Sequence, residues 1–331
     1  MVRDLIMAVL GAAAAGGGSI SNFPITFAKS CTWACPVEME AYVFVIGGGG
    51  SAAAGSIPNA TYRIQGGTAG GCAVSKLSLK AQNYTVVVGA GGAQVGVVQD
   101  TYAAGANGND SSFDNDGGTA ITQMVGVKGL GGGATTSGNN LSALAGGSAS
   151  GGNLMNNTGG GVVAITVDQT VTAGGAVGLW EAGREGQSTT NGLVDNPFMG
   201  DDGIGSTIGG SEWGQPAPWH IPPLNAASTV GRYTGYATNI FYRNDVPAGM
   251  KATDHYGQHN SSSSYSQYAW HAGPFSGGVG NNSNYQWVSA GGGSLGGGGG
   301  GVISRHNGTG YIAKSGGGSG GVIIIPISLG S

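Results

Sequence analysis

Hydrophobic positions along this chain come in short bursts separated by small and polar residues. Four bursts read as strands: Ile25–Phe27, Ala41–Ile46, Tyr84–Val88 and Val322–Ile327. A weaker fifth covers Val162–Val167. Each is rich in β-branched or aromatic residues and bounded by residues that interrupt strands. Two of the strongest run straight into glycine, "YVFVIGGGG" and "YTVVVGAGG", and the last grows out of it, "GGGSGGVIIIPI". The final strand mirrors the first ones. The two chain ends are therefore expected to pair in one sheet, closing a single domain from Ile20 to Ile327.

Composition sharpens this picture. Of 331 residues, 71 are glycine and only 8% are charged. Each ordered glycine costs more backbone entropy than any other residue, so this many require a regular, repeated geometry. Glycine runs recur at Gly47–Gly50, Gly131–Gly133, Gly159–Gly161, Gly291–Gly293, Gly296–Gly301 and Gly316–Gly318. Polyglycine can adopt an extended three-fold helix whose N–H and C=O groups point sideways, rising about 3.1 Å per residue. Gly296–Gly301 would then span roughly 19 Å. If buried, those groups need partners, and parallel glycine helices supply them. The expected fold is mainly β and irregular: a small β-sheet or sandwich packed on one side of polyglycine-II helices, with a long loop insertion and a short N-terminal α-helix.

The first nineteen positions form an apolar N-terminal segment, residues 1–19. Its Arg3, apolar stretch and small residues look weakly like a signal peptide, but Asp4 is wrong for the charged region. Its ~14 apolar or small residues fall short of the ~20 of a membrane span. The reading is a helix over Val2–Ala15 that docks on a partner through Leu5, Ile6, Val9 and Leu10. A membrane-contacting segment is the alternative.

The glycine-rich scaffold covers 20–178 and 290–331. Between them, residues 179–289 lack glycine runs of three or more and gather aromatics, including Trp180, Trp213, Trp219, Trp270 and Trp287. Tyr and Trp give large rigid contact area, and Ser and Asn give adaptable hydrogen bonds. The candidate contact residues are Trp213, Trp219, His220, Tyr233, Tyr236, Tyr242, Tyr256, His259, Tyr265, Tyr268, Trp270 and His271. The alternative is that these aromatics form the insertion's own core. That weighs more for the Trp residues than for Tyr and His in Ser-rich loops.

Other chemistries find little footing. Net charge is −4 with only 12 Lys and Arg, and no basic stripe marks a nucleic-acid partner. Cys31, Cys35 and Cys72 read as free buried thiols, although Cys31 and Cys35 are close enough in sequence to pair. No zinc-ligand spacing occurs, and no metal or cofactor is expected. Gly47, Gly49 and Ala52 fit G-x-G-x-x-A, yet neither a helix nor an acidic residue follows at the required distance. Asp110, Asp114 and Asp116 read as turn formers rather than a calcium loop. Glu181, Glu185, Asp195, Asp201, Asp202 and Glu212 could contain a glycosidase pair, but no spacing singles out two. The chain is not expected to be an enzyme.

Several motifs come in a specific order: "FAKSCTWACP", "VFVIGGGG", "YTVVVGAGG", "NGNDSSFD", "GLGGG" and "GGGSGGVIIIPI". This order resembles the glycine-rich domain of tailed-phage tail-fibre and tip adhesin proteins. Thr32, Trp33, Cys35 and Pro36 match its first element, and Gly108, Ser111, Ser112 and Phe113 its third. The likeness covers Ile25–Gly178 and Ala290–Ile327, and leaves out the N-terminal segment and most of the insertion. It implies a virion protein in a tail fibre, spike or vertex. Its expected partners are other virion proteins through the N-terminal segment and a host surface glycan or outer-membrane protein through the loops. A homo-oligomer, with a homotrimer favoured, is the expected assembly. A purely structural virion component is the alternative, and a fibre-borne polysaccharide-cleaving enzyme the second.

Overall fold

Each hydrophobic burst is too short for a helix core and too β-branched to prefer one, so it folds as a strand. The structure, a computed structural model, describes residues 25–56, 62–98 and 101–179 (without 137, 169 and 173). It also describes shorter stretches within 182–193, 259–268 and 277–304, and residues 313–329. The first strands are β1 (Ile25–Phe27), β2 (Cys31–Ala34), β3 (Met39–Ile46), β4 (Ala54–Ser56), β5 (Tyr62–Ile64), β6 (Cys72–Leu79), β7 (Asn83–Val87) and β8 (Val95–Val97). Next come β9 (Thr101–Ala103), β10 (Ser111–Asn115), β11 (Met124–Gly126), β12 (Ala134–Thr136), β13 (Ala149–Ser150), β14 (Met155–Asn157), β15 (Thr170–Thr172) and β16 (Ser188–Thr189). The last are β17 (Gly192–Leu193), β18 (His259–Asn260), β19 (Ser266–Tyr268), β20 (Asn281–Ser283), β21 (Trp287–Ser289), β22 (Val302–Ser304), β23 (Ala313–Ser315) and β24 (Gly321–Leu329).

The lower tier is a sandwich. One sheet has the order β1-β24-β3-β6-β14 and the other β13-β11-β10-β7-β2. Alternate residues of β3, namely Met39, Ala41, Val43 and Val45, face a shared core with Tyr84, Val86, Phe113, Met124, Val322 and Ile324. Tyr84 stacks on Phe113 with ring centroids 5.1 Å apart, and Trp33 lies against Tyr84 at 5.8 Å. The Tyr84 hydroxyl, at the wet end of its ring, accepts the Lys80 N–H at 2.8 Å. The chain ends do share a sheet: β24 lies between β1 and β3, with Ile324 opposite both Ile25 and Val43.

The upper tier holds four smaller sheets, with orders β12-β5-β15-β16, β17-β20-β22-β4-β9, β18-β19-β21 and β23-β8. Ala53, Ile64, Val171 and Ile303 form one small core there, and Ala54, Val97 and Val302 another. The expected cap on one side is therefore corrected: sheets close both ends.

Glycine segments join the tiers. Residues 47–51 lead from β3 toward β4, 65–71 from β5 to β6, 89–92 from β7 toward β8, and 105–110 from β9 to β10. Likewise 127–133 join β11 to β12, 296–301 lead into β22, and 316–320 join β23 to β24. In a strand, successive amides alternate between two neighbours. In residues 47–51 they rotate among three. Gly47 donates to Gly71, Gly48 to Asn109 and Gly49 to Gly318; then Gly50 returns to Thr68 and Ser51 to Ala106. The carbonyls serve three further segments: Gly48 and Ser51 accept from Gly129 and Gly132, Gly49 from Gly92, and Gly50 from Gly299. These six neighbours bond to one another in a closed ring, through Gly67–Gly299, Thr68–Leu130, Gly105–Gly132, Asn109–Ala90, Gly317–Gly92 and Gly318–Gly297. Segment 65–71 sits in an equivalent ring made by 47–51, 127–133, 146–148, 158–161, 174–178 and 296–301.

The segments also change partners between tiers. The chain of β3 bonds to β24 and β6 below, but as β4 it bonds to β22 and β9 above. Hydroxyls stand in where no carbonyl faces an amide. Thr172 Oγ1 accepts the Gly66 N–H at 2.7 Å, Thr68 Oγ1 that of Leu130 at 2.7 Å, and Ser111 Oγ that of Gly89 at 2.9 Å.

Glycine is required here for its missing Cβ, not for a left-handed backbone. A Cβ at Gly49, Gly67 or Gly298 would overlap the carbonyl of Gly297, Gly50 or Gly67 respectively, and none of the three has positive φ. Positive φ occurs instead at turns such as Leu295 and Gly296, at 37° and 86°.

Three sequence expectations need comment. Val162–Val167 is not a strand; it makes isolated bridges, from Val162 to Leu144 and Gly186 and from Ile165 to Leu141, with no continuous ladder. All three cysteines are free, but Cys31 is exposed on edge strand β2 rather than buried. No helix occurs among the described residues, and Val2–Ala15 lies outside them.

Candidate functional site

The two tiers give the molecule a direction. The described chain begins at Ile25 and ends at Leu329 in the same lower sheet, with Leu329 opposite Met39 at its far edge from the glycine segments. At the other end of the glycine segments lie the upper strands, where β4 and β9, β8 and β23, and β18 and β19 run antiparallel. The upper sheets therefore lie at the end opposite the described chain ends.

Of the candidate contact residues, His259 and Tyr268 lie within the described strands. They are antiparallel register partners on β18 and β19. The β19 strand runs parallel to β21, with Tyr268 opposite Ser289. Trp213, Trp219, His220, Tyr233, Tyr236, Tyr242, Tyr256, Tyr265, Trp270 and His271 lie outside the described residues, as do Leu5, Ile6, Val9 and Leu10. The strand before the long stretch 194–258 is tied to the scaffold, with Leu193 paired to Asn281 and Asn281 to Val302, and the strand after it, β18, joins β21 through β19.

The upper end also presents residues that sequence reasoning missed. Tyr62 of β5 and Tyr102 of β9 meet with ring centroids 5.1 Å apart and planes tilted by 46°. Tyr102 is 43% exposed and Val98 beside it 66%. Arg63 is buried; its Nε donates to Asp168 Oδ1 at 2.9 Å and its Nη1 to Asn140 Oδ1 at 2.6 Å. The Gln65 amide donates to the carbonyls of Ser142 and Val163. Both side chains fasten the 138–168 region onto β5 and the glycine segment after it. The available signal was the alternation in "TYRIQ", which puts Tyr62 and Ile64 on one face and Arg63 on the other. Ser56 Oγ and Thr170 Oγ1 are buried in the upper sheets without a hydrogen-bond partner.

Two of the candidate acidic residues, Asp110 and Asp114, cap backbone N–H groups. Asp110 accepts the Lys128 N–H at 2.9 Å, and Asp114 the N–H of Asn115 at 2.8 Å. Glu185 is exposed, and Glu181, Asp195, Asp201, Asp202 and Glu212 lie outside the described residues. The buried thiols are poor nucleophiles. Burial pushes Cys35 up to about 11, partly opposed by its hydrogen bond to the Val37 carbonyl, and burial pushes Cys72 up as well.

No curated protein matches the chain. A family model described as a glycine-rich domain matches residues 25–325, which include the aromatic insertion as well as the scaffold on both sides. The chain belongs to this glycine-rich domain family.

Proposed function

We propose that this protein is a phage tail-fibre or spike adhesin. On this reading a rigid glycine-rich scaffold holds loops that bind a host surface glycan or outer-membrane protein. The observation that carries the proposal is the polarity of the scaffold. The described ends of the chain lie in the sandwich, where the N-terminal segment would attach to other virion proteins, and the upper sheets, whose strands β17 and β18 bracket the stretch 194–258, lie at the opposite end. The glycine segments are proposed to be polyglycine-II helices, supported by their three-residue rotation of hydrogen-bond partners. A scaffold held by backbone hydrogen bonds in many directions keeps its loops in place before binding. Pre-organised loops lose less entropy on contact.

The test is adsorption of the purified full chain to bacterial cells, compared with a variant in which a short Gly-Ser bridge replaces residues 194–258. That deletion spares the paired strands β17 and β20. The adhesin reading expects saturable cell binding, competition with phage infection, and loss of binding in the folded variant. Equal binding by the variant would remove the loops from the mechanism. No cell binding by the full chain would leave a purely structural virion role.

A further inference from the structure

Resting on the adhesin reading, we propose that Tyr62 and Tyr102, meeting across the gap between two upper sheets, form a stacking platform for a neutral sugar ring. Strand β9 is the edge of its sheet, and β5 lies one strand in from the edge of the next. Their two rings close the gap between the sheets. Tyr62 packs inward against the cluster of Ala53, Ile64, Val171 and Ile303. Gly55 lies below: a Cβ there would come 3.3 Å from Ile64 Cδ1 and 3.9 Å from Tyr102 Cβ.

A tyrosine that serves only packing has a different setting in this protein. Tyr84 is fully buried, stacked on Phe113, with its hydroxyl bonded to backbone. Tyr102 instead stands 43% exposed in the upper sheets, held by one aromatic neighbour. An aromatic face of this kind takes the apolar C–H face of a pyranose, and the sugar hydroxyls then need polar groups at the rim. Thr136, opposite Tyr62 on β12 and projecting to the same side, is exposed. Exposed Asn139 follows it, its backbone N–H donating to the Thr136 carbonyl. The platform carries no charge of its own. Arg63 projects to the opposite side and is occupied by Asp168 and Asn140. A neutral hexose fits this surface better than a sialylated or uronic-acid sugar, which calls for a cation.

The experiment measures binding of the full chain and of Tyr102→Ala and Tyr102→Phe to an array of bacterial lipopolysaccharides and capsular polysaccharides, with adsorption to whole cells in parallel. The expected result is array binding by the native chain to neutral polysaccharides. Tyr102→Ala should weaken it by about three- to tenfold, and Tyr102→Phe, which keeps the ring, should preserve it. Thermal midpoints should agree between the native chain and Tyr102→Phe and fall by only a few degrees in Tyr102→Ala, since the ring is 43% exposed with one aromatic neighbour. Array binding unchanged in Tyr102→Ala would overturn the platform. Cell adsorption without polysaccharide binding would also overturn it while leaving the adhesin reading in place. Absence of both would overturn the adhesin reading together with the platform.

Discussion

A methyl group added at Gly298 has no space to occupy, because it would overlap the Gly67 carbonyl, which belongs to a neighbouring backbone that cannot turn aside. Gly298→Ala and Gly298→Val are therefore expected to destabilise by more than about 4 kcal/mol, or to prevent folding, read as loss of the cooperative transition in chemical unfolding. Gly316 differs: a Cβ there makes ordinary contacts of 3.8 Å and longer with Gln94. Gly316→Ala should leave stability unchanged or raise it by about 0.4–1 kcal/mol through the unfolded chain. Glycine content alone does not separate these two positions, since both sit in runs of the same appearance. Thr172→Val tests the hydroxyls that stand in for carbonyls. It keeps the shape but orphans the buried Gly66 N–H, at a cost of about 1–3 kcal/mol. For the thiols, folding holds the Cys35 proton up to about 11, against an ordinary 9.0. Between those values the folded state binds more protons than the unfolded one, so stability falls as pH rises through this window and is unaffected below it. The slope should shrink in Cys35→Ser. A thiol reagent should modify Cys31 in the native protein, and Cys35 and Cys72 only on unfolding.

Among elements, legibility followed composition rather than length: the three-residue Ile25–Phe27 was expected, while the eight-residue Cys72–Leu79, with its mixed small and polar residues, was not. Ala41–Ile46 and Val322–Ile327 announce themselves by runs of β-branched and aromatic residues, and they became the centre of the lower sheet. The three-residue strands Ala54–Ser56 and Tyr62–Ile64 carry too few positions to show a period. They exist because the glycine segments on either side fix the spacing and direction of their neighbours. Val162–Val167 shows the opposite error, a strand-like composition with no continuous ladder to join. The fastening of 138–168 onto β5 was invisible in sequence because Arg63 and Asp168 are 105 residues apart. Arg63→Ala should destabilise by about 2–3 kcal/mol. This lies below the ~3–5 kcal/mol of a fully buried pair, because Asp168 is 31% exposed. Arg63→Lys should recover part of that, since one ammonium cannot serve both Asp168 and Asn140 in the same fork.

At the scale of the molecule, the sequence announced repetition but not direction. Glycine runs promised a regular geometry. The rotation of partners from β24 and β6 below to β22 and β9 above emerges only when all the segments lie side by side. The candidate contact residues were chosen for aromatic character in a stretch without glycine runs. That criterion passed over Tyr62 and Tyr102, which sit inside the scaffold. The molecule stands on a frame made of backbone hydrogen bonds, and amide hydrogen exchange measures that frame directly. The amides of Gly47–Gly50 and Gly67–Gly71, each enclosed by six neighbouring segments, should exchange only through global unfolding, together and with the slowest rates in the protein. Rapid exchange at these glycines, while the sandwich strands stay protected, would contradict it.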